Sequence, residues 1–91
     1  MRESAIEKAV CDFARENGCL VVKLASPGDR GKPDRAFFKD GKTMFIEFKR
    51  PGGKVTALQY RALKQLREHG FFAMWTDSIE EGEKWVREQL L

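Results

Sequence analysis

The apolar positions change period along the chain, and each change marks an element. Between residues 4 and 17, Ile6, Val10 and Phe13 recur at helical spacing, and Gly18 follows where a left-handed stop is favoured. Residues 19–24 are a run of β-formers with little polarity, so a strand covered on both faces is expected. Pro27, Gly28, Gly31 and Pro33 exclude regular structure over residues 25–33. Two strands, 34–38 and 43–49, then flank Lys39-Asp40-Gly41-Lys42, where Asp-Gly is a strong hairpin signal. A period of two puts Phe45, Glu47 and Lys49 on one face of the second strand and Met44, Ile46 and Phe48 on the other.

Helical periodicity returns over residues 56–69, with Leu58, Ala62, Leu63 and Leu66 as the apolar stripe. Thr56 and Gln59 fit a capping box at its start, and Gly70 closes it. Residues 71–75 read as a fourth strand. Ser78 and Glu81 open a last helix that carries Ile79, Trp85, Val86 and Leu90. The order α-β-β-β-α-β-α predicts an α/β fold with a single mixed sheet flanked by helices. At 91 residues, one domain spanning 1–91 is expected, with little room for a second core.

Composition narrows the picture less than pattern does. Seventeen Lys and Arg against 14 Asp and Glu give a formal charge of +3, too mild to argue for nucleic acid without clustering. No apolar run approaches the ~20 residues of a membrane span, so no membrane association is expected. Cys11 and Cys19 are isolated thiols with no Cys-x-x-Cys pair and no evident secretory leader, which predicts a reducing cytoplasm.

The candidate chemistry lies at the hairpin. Pairing of its strands brings Asp34, directly after Pro33, beside Glu47, with Lys49 one pleat further along. Two facing carboxylates repel unless a cation lies between them. Magnesium prefers oxygen ligands and keeps several waters, so one or two protein acids suffice to hold it. An ammonium beside such a cation can orient water or meet charge developing on a phosphorane. Alone, Glu-x-Lys is a common surface-strand pair; here the opposite face of its strand is apolar, which predicts cover on both sides.

Those residues carry a resemblance. Asp34 after Pro33, with Glu47-Phe48-Lys49, resembles the PD-(D/E)xK nuclease superfamily. Residues 26–35, residues 45–54 and then Gln59 together look like the stand-alone VRR-NUC domains common in phages, and the similarity runs from the first helix to the last strand. The resemblance implies a restriction-endonuclease-like core and a metal-dependent endonuclease. It implies Mg2+ or Mn2+ as cofactor, no small-molecule cofactor, branched DNA such as Holliday junctions as substrate, and a homodimer. A phage-encoded member would act in the host cell cytoplasm. Asp34 and Glu47 match the metal-binding acids and Lys49 the catalytic lysine. Gln59 matches a glutamine that supports the site, and it equally completes the capping box with Thr56. The family also uses an acid from the first helix. Glu3 matches it through Ile6 three residues on, while Glu7 fits a capping box with Ser4.

Lys23, Arg30, Lys32, Arg35, Arg50 and Lys54 belong to segments flanking this site, where such charges would grip phosphates without reading sequence. Lys23 and Arg35 stand out because their strands look buried. His69, Trp75 and Trp85 read as structural. A non-catalytic nucleic-acid-binding module on the same fold is the competing reading, and the intact Asp34, Glu47 and Lys49 argue against it.

Overall fold

The register of the sheet is set at Asp40-Gly41. In the computed structural model, which describes residues 1–24 and 30–91, Asp40 has φ 51° and Gly41 φ 79°. Positive φ at both central residues is what a two-residue type I′ hairpin requires. The turn joins β2 (Arg35–Lys39) to β3 (Lys42–Phe48), antiparallel, with Lys39 opposite Lys42 and Arg35 opposite Ile46. One step further, the same register sets Asp34 level with Glu47.

On the other side of β2 runs β1 (Leu20–Lys23), also antiparallel, while β4 (Phe72–Thr76) pairs with β3 in parallel. A parallel neighbour needs a crossover, and α2 (Ala57–Glu68) supplies it. The strands lie in the order β1-β2-β3-β4, a mixed sheet. Helices α1 (Glu3–Glu16) and α3 (Ile79–Leu90) complete the expected order α-β-β-β-α-β-α.

The core lies between the sheet and the α1/α3 layer. Phe37, Met44, Ile46 and Phe48 meet Ile6, Val10, Val86 and Leu90 there, each buried. Removing such a side chain from water contributes roughly 1.5–3 kcal/mol, so the alternation of β3 decides which of its faces is core. Trp85 of α3 packs edge-on against Phe72, with ring centroids 5.4 Å apart. At the start of α3, Ser78 accepts from Glu81 N, and Glu81 accepts from the buried Thr76 hydroxyl at 2.8 Å.

Four expectations change. Strand β1 is not covered on both faces: Leu20 is 63% exposed and Lys23 is exposed, because β1 is an edge strand and α2 lies over the opposite, β4 side. The α2 stripe is likewise partial, with Leu63 buried and Leu58 exposed. Ser4 and Glu7 form no capping box. Helix α1 begins at Glu3, its N-cap Arg2 makes no side-chain capping bond, and Glu7 is drawn to a cation instead. Cys19 precedes β1 and is buried, as is Cys11 within α1, and burial raises the Cys11 thiol to about 11. Of the loop expected over 25–33, residues 30–33 are irregular and residues 25–29 lie outside the described residues. No helix among the described residues is long and apolar enough to cross a membrane.

Where α3 crosses α1, Gly82 faces Val10, and a Cβ there would stand 2.6 Å from Val10 Cγ2. Gly82→Ala gains about 1 kcal/mol of helix propensity against an overpacking cost of about 1–3 kcal/mol. We expect a net loss of stability in urea unfolding, and a Val10→Ala/Gly82→Ala double variant more stable than the sum of its single changes.

Candidate active site

Glu47 is 2% exposed although it is a carboxylate. It occupies the position on β3 where the α2 face of the strand meets the end of β2. Its Oε2 accepts from Gln59 Nε2 at 3.0 Å and lies 3.5 Å from Lys49 Nζ. Its Oε1 is buried with no hydrogen-bond partner among the described residues.

Asp34 comes to the same place from the position just before β2, which begins at Arg35 rather than at the expected residue 34. Its Oδ2 accepts from Phe48 N at 2.8 Å, and its backbone oxygen accepts from Leu24 N at 3.0 Å. The acid is thereby tied to both neighbouring strands. Glu3, in the first turn of α1, supplies a third carboxylate. One oxygen from each of Glu3, Asp34 and Glu47 lies within 4.8 Å of the others.

Ionising all three acids so close together is unfavourable. Burial, and next the Asp34 charge, raise the Glu47 carboxyl to about 7, with Lys49 opposing. Burial also raises Asp34, against the Phe48 N–H bond, and the charges of Glu7 and Glu3 add to the rise. A cation at the cluster would reverse both shifts. The donor set fits a small divalent ion: three hard carboxylates, one of which, Glu47, has a buried oxygen with no hydrogen-bond partner among the described residues.

Gln59 joins this cluster to α2. Its Oε1 accepts from Thr56 N at 2.9 Å and its backbone N donates to Thr56 Oγ1 at 3.1 Å, a complete capping box. Its Nε2 faces Glu47. One end of this amide thus caps α2 while the other meets Glu47.

No family model matches the chain. "Putative nuclease p44" of Acyrthosiphon pisum secondary endosymbiont phage 1 is 39% identical over 79 residues, covering 86% of this chain and 85% of that protein. A solved VRR_NUC domain superposes with a TM-score of 0.80 at 25% identity, over 93% of this chain and 94% of that one. The chain belongs to the phage-type VRR-NUC nucleases.

In this VRR-NUC chain the remaining expected residues divide by position. Arg30 and Lys32 line a cleft of about 390 Å3 together with Asp34, Glu47, Thr56 and Gln59. Arg50 and Lys54 are exposed on the segment after β3, beside Lys49, and Lys23 is exposed on β1. Arg35, expected to grip phosphate, turns to α1 instead and donates from Nε to Glu7 Oε2 at 2.6 Å. Each side chain of that pair is only about a fifth exposed, at 20% and 21%. Glu7, the second candidate for the helix acid, thus has a partner of its own, while Glu3 has joined Asp34 and Glu47. Sequence reasoning missed the Glu7–Arg35 pair. Its signal was present: Glu7 lies four residues from Glu3, and Arg35 directly follows Asp34.

Because Glu47 is raised from an ordinary 4.5 to about 7 in the folded protein, the fold favours its protonated form. That contribution to stability is complete below the unfolded value and is lost as pH rises through the folded one. We expect the metal-free protein to lose thermal stability between pH 5 and 8, with Asp34 acting in the same direction. Calorimetric melts of Glu47→Gln across that range should show a flatter dependence; an equally steep one would remove Glu47 as the source.

Proposed function

We propose that this nuclease is a divalent-metal-dependent DNA endonuclease selective for branched DNA such as Holliday junctions. In this reading residues 1–91 form one domain, which acts as a homodimer in the cytoplasm, the host's where the gene is phage-borne. The observation that carries the metal reading is the buried, unpartnered Glu47 Oε1 within the Glu3–Asp34–Glu47 cluster, beside Lys49.

Glu3, Asp34 and Glu47 would hold Mg2+ or Mn2+. A divalent ion there supplies charge that offsets the phosphodiester's own and acidifies a water for attack. Asp34 is kept in place by the Phe48 N–H, and Glu47 by Gln59, so two acids are oriented before substrate arrives. Lys49, 15% exposed and steered by Glu47, presents its ammonium at the edge of the cluster. There it orients the attacking water and meets negative charge as the water oxygen adds to phosphorus and the bond to the sugar oxygen breaks. Arg30, Lys32, Arg50 and Lys54 flank this point and suit phosphate contacts along the backbone.

Branched DNA is supported by the resemblance and by symmetry, since a junction offers two equivalent strands to a two-fold protein. Exposed apolar residues on the α2 face, among the described residues, support the dimer. Leu20, Val22, Leu58, Tyr60 and Phe71 are exposed, and an apolar groove of about 570 Å3 lined by Leu24, Phe45 and Leu66 runs beside α2. A second copy is the occupant we assign to that face, because exposed apolar area of this kind marks association surfaces.

Cleavage of a four-way junction and a linear duplex with Mg2+, Mn2+ or a chelator tests the reaction. The junction should be cut only with metal, and Lys49→Ala should slow cutting by about 100-fold or more. Absence of metal-dependent cutting would leave the binding module as the better reading. Gln59→Glu separates the two duties of its residue: it keeps a capping acceptor but places a carboxylate against Glu47. Melting temperature with bound metal should change little and cleavage should fall; a large loss of helix content with unchanged cleavage would reverse the assignment. For the dimer, light scattering should report about twice the 10.5 kDa chain mass, reduced to one chain by Leu20→Glu/Val22→Glu.

A further inference from the structure

We propose that Arg35 is a positioning residue, whose ion pair with Glu7 assembles the helix-borne Glu3 onto Asp34, just ahead of β2, and Glu47 on β3. The proposal rests on the metal reading above and concerns how that site is held together.

Three carboxylates, from α1, from Asp34 just ahead of β2 and from β3, repel one another, and the first turn of α1 has no side-chain cap to hold it. Arg2, the N-cap, makes no side-chain capping bond, and residues 1–5 are all exposed. Ile6 is the first buried residue of the helix. Its apolar contact is non-directional and does not by itself aim the turn. The directional contact comes one residue later, where Arg35 Nε meets Glu7 Oε2 at 2.6 Å. Glu7 lies one turn after Glu3 on the same helix face. Arg35 is bonded through the backbone to Asp34. The pair therefore links the helix turn that carries one acid to the strand residue next to another. It also offsets the Glu7 charge, which would otherwise add a fourth acid beside Asp34.

The alternative, a phosphate contact, would call for an exposed guanidinium. Arg35 is instead one-fifth exposed and engaged on the α1 side, where Ile46, opposite it on β3, belongs to the core. Arg30 in the cleft is exposed, by contrast.

Mn2+ titration calorimetry on metal-free protein tests the inference with the wild type, Arg35→Met, Arg35→Lys, Glu3→Ala and the Glu3→Ala/Arg35→Met double variant. Arg35→Met should weaken Mn2+ binding about 10-fold or more, as loss of outer-shell partners commonly does. The double variant should bind no more weakly than Glu3→Ala alone, since Arg35 acts through Glu3. Arg35→Lys should recover part of the loss. Additive losses, or unchanged Mn2+ binding in Arg35→Met, would overturn the proposal. So would a loss of metal-free junction affinity in Arg35→Met with Mn2+ binding intact, which would make Arg35 a phosphate contact. Should Arg35→Met fail to fold, Glu7→Gln, which keeps an acceptor but not the charge, takes its place in the same cycle. Amide hydrogen exchange in the first turn of α1 reads the positioning without metal, and Arg35→Met should accelerate it. A wild-type protein that bound no Mn2+ would sink the metal reading, and unchanged exchange would still sink the pairing.

Discussion

A carboxylate on a central strand is the constraint around which this molecule is arranged. Glu47 sits one residue from Ile46 and from Phe48, both fully buried in the core, so its strand cannot shift to expose it without exposing them. A one-residue slip would turn every side chain of β3 over. The acid is thus held in a buried position by apolar burial on the opposite face, which contributes more than the roughly 1–3 kcal/mol that one unsatisfied polar atom costs. Everything near it reads as a response to that charge: the Lys49 ammonium, the Gln59 amide, and a cluster of acids suited to a cation.

The supporting groups do double duty, which suits a chain of 91 residues. Gln59 caps the crossover helix with one end of its amide and holds Glu47 with the other. Asp34 uses one oxygen to bind the backbone of β3. The same contacts that start a helix or align a strand also aim a functional side chain. Local fold stability and site geometry are consequently inseparable near Glu47, whereas the α1–α3 packing at Val10 and Gly82 lies elsewhere in the core.

The two faces of the sheet differ in kind. One is closed by α1 and α3 over a continuous apolar core. Among the described residues the other carries α2 alone, leaving β1 as an exposed edge and an apolar groove beside the helix. Cleft and groove share Lys32 in their linings, so an occupant of the groove would lie next to the DNA path proposed here.

Much of this was legible in the residues. The Asp40-Gly41 turn demands positive φ at both positions, and the alternation of β3 permits one buried face, so local chemistry alone determined the hairpin, the level of Asp34 with Glu47 and the order of elements. The likeness to VRR-NUC domains rested on the same segments. What only the tertiary structure decided was which long-range partner each charge finds. Glu3 and Glu7 stand on one helix face and are equivalent by spacing, and Arg35 looks like any cation near a site. Helix packing against β2 gave Glu7 to Arg35 and left Glu3 for the acid cluster. The exposure of β1 was hidden for a related reason: an apolar run records that a strand can be covered, and only the placement of α2 records whether it is.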